Sequence, residues 1–293
     1  MKKISVWLIL LAGIFWGSMG IFVRTLQEYG LTTMQIAAVR LSVAAVFFWA
    51  ALLIFKPKEA KIRIKDLPLF IALGCFSIAG MCVSYFTAIS LSTMSVAAIL
   101  LYLSPVAVML MSAIFLKEKI TPKKVIALVM AVLGCALVAG LGSGDSVGVW
   151  ATVAGLISAI TYGSYSIFGT KALKKYSPLT VTAYSFTFAA VVVIALCDPA
   201  RLYGTVAAQI SLPLVFWLVG LGVVTAVIPF GLYTIGLKYT AASKAAVVAC
   251  SEPVAATLFG LAVYSEMPSV TAYTGIILVL AAITLLNVRT KRK

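Results

Sequence analysis

Ten runs of about 19–24 apolar residues, joined by gaps too short to hold a domain, leave this chain few folds to choose from. As a helix rising about 1.5 Å per residue, each run can cross the roughly 30 Å hydrocarbon core of a bilayer. In hydrocarbon the backbone must satisfy its own hydrogen bonds, and a helix does this within one segment. The runs lie at 4–23, 34–55, 67–89, 94–116, 123–141, 148–169, 179–197, 212–236, 243–264 and 270–288. The expected fold class is all-α integral membrane with ten transmembrane helices. Composition agrees: 63% of residues are hydrophobic and 11% charged, whereas soluble domains are about half apolar and a quarter charged. The longest connection, 198–211, is too short to fold alone.

A net charge of +15 raises the question of nucleic acid. The placement of the charge excludes it, because the basic residues sit in the gaps. With a cytoplasmic N-terminus, 20 of the 23 Lys and Arg fall on the inner side. Arg24 and Arg201 fall outside, and Arg40 lies within a span. That asymmetry predicts a multi-pass protein of the cell (cytoplasmic) membrane, surrounded by lipid, with both termini cytoplasmic. The opening "MKKISVWLILLAGIFWGSMGIFV" begins like a signal peptide but has no A-x-A-like cleavage site, so it is expected to stay as the first helix. Cys75, Cys82, Cys135, Cys197 and Cys250 lie in or beside apolar runs and form no C-x-x-C pair, and histidine is absent. Free thiols, no metal and no cofactor are expected.

The chain repeats itself. Displaced by about half its length, "FWGSMGIF" (15–22) falls on "TYGSYSIF" (161–168). At an offset of 148, "SVAAILLYLSPVA" (95–107) falls on "SKAAVVACSEPVA" (243–255), and Glu118 falls on Glu266. The halves are 1–145 and 146–293. Five spans per half is an odd number, so the halves are inverted five-helix repeats. Inverted repeats are the mark of transporters whose binding site lies near the midplane between them.

With these motifs in view, the chain resembles the drug/metabolite transporter superfamily, specifically its EamA-type family of ten-helix carriers. The likeness spans nearly the whole chain. It rests on "GIFWGSMGIFVR", "AAVRLSVAAVFF", "YLSPVAVMLMSAIFLKEKIT" and "SEPVAATLFGLAVYSEMPS". "LKEKIT" and "YSEMPS" are less glycine-rich than the common family pattern. The resemblance implies spans 1–4 and 6–9 around a central cavity, with spans 5 and 10 peripheral. It also implies small organic substrates such as amino acids, amines or nucleobases, many of them moved outward.

Glu252 is the only acid well inside a span. Nine residues past Ser243, it lies roughly 13 Å deep, near the midplane. An acid there costs about 3 kcal/mol on insertion scales and is functional by default. Two states make sense: neutral until a cavity opens to water, or ionised opposite a cation. Packing against a neighbouring helix is the structural alternative. Pro253 lacks an N–H and frees the carbonyl of Ala249; Pro105 does the same for Leu101. The repeat partner of Glu252 is Ser104. Matched breaks place the site where Ser104–Pro105 and Glu252–Pro253 face each other.

Trp16 and Tyr162 occupy equivalent places, as do Tyr85 and Tyr233; Tyr165 is one turn beyond Tyr162 and Tyr102 one turn before Pro105. Such aromatics line a cavity for apolar or cationic solutes, or pack helices. The substrate-binding set is therefore Glu252, Trp16, Tyr85, Tyr102, Ser104, Tyr162, Tyr165 and Tyr233. Glu252 is also the proton-coupling candidate, and Pro105, Pro229 and Pro253 are hinge candidates. Arg40 is read as structural, snorkelling to the outer surface, with an anion contact during opening as the alternative, and Lys238 and Lys244 as facing headgroups. Glu118 and Glu266 are read as interfacial, capping or pairing with nearby groups, with a gating role as the alternative. Gly13-x3-Gly17 and Gly155-x3-Ala159-x3-Gly163 are stripes for close packing.

Together these features predict a secondary transporter moving a small organic metabolite by alternating access, proton-coupled through Glu252. No nucleotide-binding G-x-x-x-x-G-K-[ST] motif is present. An uncoupled facilitator or exchanger is the alternative, then a lipid-handling protein or intramembrane enzyme, with enzymatic activity not expected. The expected partners are the solute, protons and lipid. Monomer and homodimer both remain open.

Overall fold

The computed structural model describes residues 2–140 and 148–287, with only the backbone at residues 2 and 3. The predicted boundary at 145/146 and the basic C-terminal tail lie outside them. Every described element is helical. The long rods are α1 (Ile4–Glu28), α2 (Thr33–Phe55), α3 (Ile64–Leu91), α4 (Met94–Phe115), α5 (Pro122–Val138), α6 (Val149–Ala172), α7 (Pro178–Leu196), α8 (Leu212–Leu237), α9 (Ala242–Tyr264) and α10 (Val270–Asn287). Among the described residues nine of these rods are long and apolar enough to span a membrane. The exception is α5, which has 17 residues.

The connection 198–211 is not featureless. Asp198 accepts the backbone N–H of Arg201 and Pro199 opens a short helix, Pro199–Ala208. A capping acid followed by proline at the first position is a helix-start signal.

The two repeats are interleaved. α1 packs on α8 and α9, and correspondingly α6 packs on α3 and α4. α2 pairs with α7, and α5 with α10. These pairings map onto each other when the halves are exchanged. α5 and α10 approach through Gly134 and Gly275, where a Cβ on either would meet the other's carbonyl within 2.7 Å.

Ion pairs and hydrogen bonds define the two faces. On one face Lys175 pairs with Asp66 at 2.7 Å, Thr180 donates to Glu59 O, and Ser5 bonds Thr240. On the other Arg24 pairs with Glu266 at 2.6 Å and Gln209 donates to Tyr29 O. We call the first the lysine-rich face.

Irregularities also come in pairs. α4 is interrupted at Tyr102–Leu103, just before Pro105, and α9 at Cys250, just before Pro253. π-helical turns widen α3 at Ala72–Ala79 and α8 at Val223–Val227, the latter just ahead of Pro229. α1 breaks at Ser18. Such bulges loosen the helical ladder where side chains are re-aimed.

Candidate mid-membrane binding site

Helix crossings bring the broken segments to the centre. A Cβ on Gly17 would meet Ala255 Cβ at 2.6 Å and Ala256 N at 2.7 Å. One on Gly163 would meet Val108 Cγ2 at 2.9 Å and Ser104 O at 3.2 Å. The small-residue stripes thus let α1 lie directly on α9, and α6 on α4, at their interruptions. In helices that are apolar all round, these contacts decide which face turns inward.

A cavity of about 120 Å³ occupies the centre, lined among others by Trp16, Arg40, Tyr85, Tyr102, Tyr162 and Glu252. It extends past Val23 and Thr33, toward the face opposite the lysines. Two smaller voids adjoin it. One of about 30 Å³ lies among Trp16, Ser104, Tyr162, Tyr165 and Tyr233. The other, of about 20 Å³, lies against Ser104, Pro105 and Glu252. Each has room for about one water molecule. All eight residues assigned to binding from the sequence therefore line one of three adjoining spaces. Pro105 lines one of them, whereas Pro229 and Pro253 are not among their lining residues.

Glu252 keeps partial exposure through the cavity. The Tyr162 hydroxyl donates to its Oε2 at 3.4 Å. Arg40 departs from the expectation: it does not snorkel outward. Its residue is 7% exposed, its Nη2 donates to Thr225 O at 2.8 Å, and its guanidinium carbon lies 6.0 Å from the Phe230 ring centre. The widened turn of α8 contributes that carbonyl, as Thr225 lies within it. Among the described residues no ion pair joins Arg40 to Glu252, although both line one cavity. Arg40 Nε and Trp16 Nε1 are buried without a hydrogen-bond partner. An unmet buried donor costs about 1–3 kcal/mol, and both of these belong to residues that line the cavity.

Toward the lysine-rich face the space is closed. Trp16, Phe230, Tyr165 and Tyr233 form an aromatic cluster with ring centres 5.0–6.4 Å apart. Tyr165 bonds Thr234 at 2.9 Å and Tyr233 bonds Ser166 at 2.7 Å. Tyr165 and Tyr233 are 4% and 5% exposed, so they form the floor beneath the main cavity. Lys238 lies beyond them, on the wall of a separate surface cavity of about 470 Å³ with Lys56, Lys61, Lys174 and Lys175.

Sequence reasoning favoured a snorkelling Arg40 over a cavity contact, and it missed Phe230 and Met81 as lining residues. Arg40 carried a signal, being the only basic residue well inside a span rather than at its end. The two apolar residues carried none.

The fold is shared with known proteins. A curated relative from Archaeoglobus fulgidus, an "uncharacterized transporter", is 27% identical over 275 residues, 94% of this chain and 93% of its own. The "uncharacterized inner membrane transporter YicL" of Salmonella typhimurium is 21% identical over 97% of this chain and 95% of its own length. A solved crystal structure superposes with a TM-score of 0.81 at 18% identity, over 98% of this chain and 97% of that one, and shows the same fold. The EamA-like transporter family matches twice, over residues 3–140 and 149–288. The chain is a multi-pass membrane protein of two repeats, and it belongs to the EamA-like transporter family.

Proposed function

We propose that this protein is a secondary transporter that carries a small organic metabolite across the cytoplasmic membrane by alternating access, coupled to protons through Glu252. The lysine-rich face is the cytoplasmic one, with both termini on it. The observation that carries this reading is the unpaired acid and unpaired base sharing one mid-membrane cavity. Two opposite charges held apart in a low dielectric are a receptor for a solute bearing both. An ammonium group sits at Glu252 between Tyr85, Tyr102 and Tyr162, and a carboxylate sits at Arg40 and Trp16 Nε1. An amino acid or a closely related compound meets these demands. A plain amine meets the Glu252 half alone.

Coupling follows from competition. A proton and the substrate ammonium both neutralise Glu252, so each displaces the other. Without either, a bare carboxylate costs about 3 kcal/mol at this depth and resists the occluded state.

The test is flux into proteoliposomes across amino acids, amines and quaternary amines, with and without a pH gradient. The reading expects saturable flux of a zwitterion, driven by the gradient and abolished in Glu252→Gln. Gradient-independent flux that survives in Glu252→Gln would reduce the protein to an uncoupled facilitator. Binding of lipids alone would remove the transporter reading for soluble solutes.

A further inference from the structure

The ends of α4 and α9 carry one local structure on opposite faces. Lys117 and Ser265, 148 residues apart, both adopt left-handed backbone, with φ of 56° and 57°. The N–H of the next residue turns back to the carbonyl six residues earlier: Glu118 to Ser112 at 3.1 Å, and Glu266 to Gly260 at 3.2 Å. These acceptors are also 148 apart. A non-glycine residue in this conformation costs about 1 kcal/mol or more, yet both repeats keep it. Two carboxylates thus emerge from equivalent turns.

Their partners differ. Glu118 crosses to the second repeat and accepts the backbone N–H of Ala242 at 2.7 Å and the hydroxyl of Ser243. Lys124 pairs with it at 3.1 Å. Ala241, at the start of α9, has no capping side chain, so Glu118 supplies the cap from outside and sets negative charge at the positive end of the helix. Ala242 and Ser243 are sealed, at 0% and 2% exposure.

The equivalents of Ala242 and Ser243 are Met94 and Ser95, at the start of α4. There the same place is open. Met94 is 62% exposed, Ser95 is exposed, and no carboxylate reaches either among the described residues. Thr93 caps Val96 N–H and leaves the two preceding N–H groups free. Glu266 instead pairs with Arg24, and both side chains are half exposed.

We propose that Glu118 and Glu266 are alternating latches of the transport cycle. In the state described, Glu118 holds the start of α9 and seals the lysine-rich face. In the opposite state Glu118 lets go, and Glu266 leaves Arg24 to close on the start of α4 at Met94 and Ser95. One charge-assisted contact is exchanged for an equivalent one, so neither state becomes a deep trap. This inference rests on the alternating-access reading, but its test needs no substrate.

The test uses paired cysteines on a background with the five native cysteines replaced, probed by a short bifunctional thiol reagent in membranes. Glu118→Cys with Ser243→Cys should cross-link, and so should Glu266→Cys with Ser95→Cys, although only the first pair meets in this structure. Cross-linking of the first pair with none of the second, in protein that still binds or moves solute, overturns the proposal. So does simultaneous cross-linking of both pairs in one molecule. A second readout is labelling of Thr240→Cys by a membrane-impermeant maleimide. Glu118→Gln should raise it about tenfold, the equivalent of about 1.4 kcal/mol, and adding Glu266→Gln should bring it back toward the parent level. A residue that merely braces the fold would give no such restoration. If no solute is ever found to move while both cross-links form one at a time, the function assignment fails and the latches stand.

Discussion

Tyr162 and Glu252 meet inside the second repeat, with the phenol hydroxyl 3.4 Å from the carboxylate Oε2. The contact is long for an O–H···O bond, so it orients the acid more than it stabilises it. Tyr162→Phe is expected to weaken substrate affinity about fivefold, matching a hydrogen bond of roughly 1 kcal/mol. Equilibrium binding to purified protein in detergent measures this. An unchanged affinity would show that Tyr162 only fills space.

Arg40 holds the Thr225 carbonyl with one arm and leaves Nε without a partner. Lysine at this position keeps the charge but loses the fork. Arg40→Lys is expected to weaken binding of a zwitterion tenfold or more, by about 1.4 kcal/mol, and to leave binding of the matching decarboxylated amine within about twofold. Competition between the two compounds reads this directly. Equal losses for both would place Arg40 outside carboxylate recognition.

Gly17 and Gly20 lie on the same helix, and only one of them touches a neighbour. A methyl group on Gly17 would collide with the backbone of α9, whereas one on Gly20 would meet nothing within 4 Å. Gly17→Ala is expected to destabilise the protein by about 1–3 kcal/mol through overpacking. Gly20→Ala is expected to be neutral or slightly stabilising, by under about 1 kcal/mol. Thermal unfolding in detergent separates them, and a Gly17→Ala variant as stable as the parent would contradict the close crossing.

Burial pushes the Glu118 carboxyl up, but hydrogen bonds from Ser243 and Lys124, the Lys124 charge and the Ala242 N–H outweigh it and hold the group below the usual carboxylate range. A lowered value means the folded state prefers the ionised form. Its stabilisation is therefore fully present above the ordinary value of about 4.3 and is lost as pH falls through the lowered value. The stability gap between the parent and Glu118→Gln should be constant near neutrality and close on acidification below about pH 4. Melting curves across that range check the sign. A gap that widened in acid would mean that the carboxyl works in its neutral form.

Much of this arrangement was legible in the sequence because membranes punish unpaired backbone and stray charge. The ten rods follow from apolar runs, and the breaks in α4 and α9 from Pro105 and Pro253 at matched positions. Trp16, Tyr162, Tyr85 and Tyr233 followed from the repeat, and Tyr165 and Tyr102 from their one-turn spacing to Tyr162 and Pro105. Direction around a rod was another matter. α2 is apolar on every side, so depth placed Arg40 about two turns from its end, but nothing told whether it faced lipid or core. The π-turns of α3 and α8 left no mark either, since they shift the ladder without changing residue type. The short helix at Pro199–Ala208 was hidden for a different reason: hydropathy alone treats a polar stretch as a loop, whereas Asp198–Pro199 announces a start.

The interleaving of the halves sets an order of events during synthesis. α1 leaves the ribosome well before α8 and α9, yet its resting place lies against them. Until they arrive, the face of α1 that carries Gly13 and Gly17 lacks its packing partner. Segments 1–140 and 148–293, made as separate polypeptides, should each be short-lived alone and be rescued by co-expression, as pulse–chase labelling would show. Failure of co-expression to rescue them would show that α1 does not need α8 and α9 to persist.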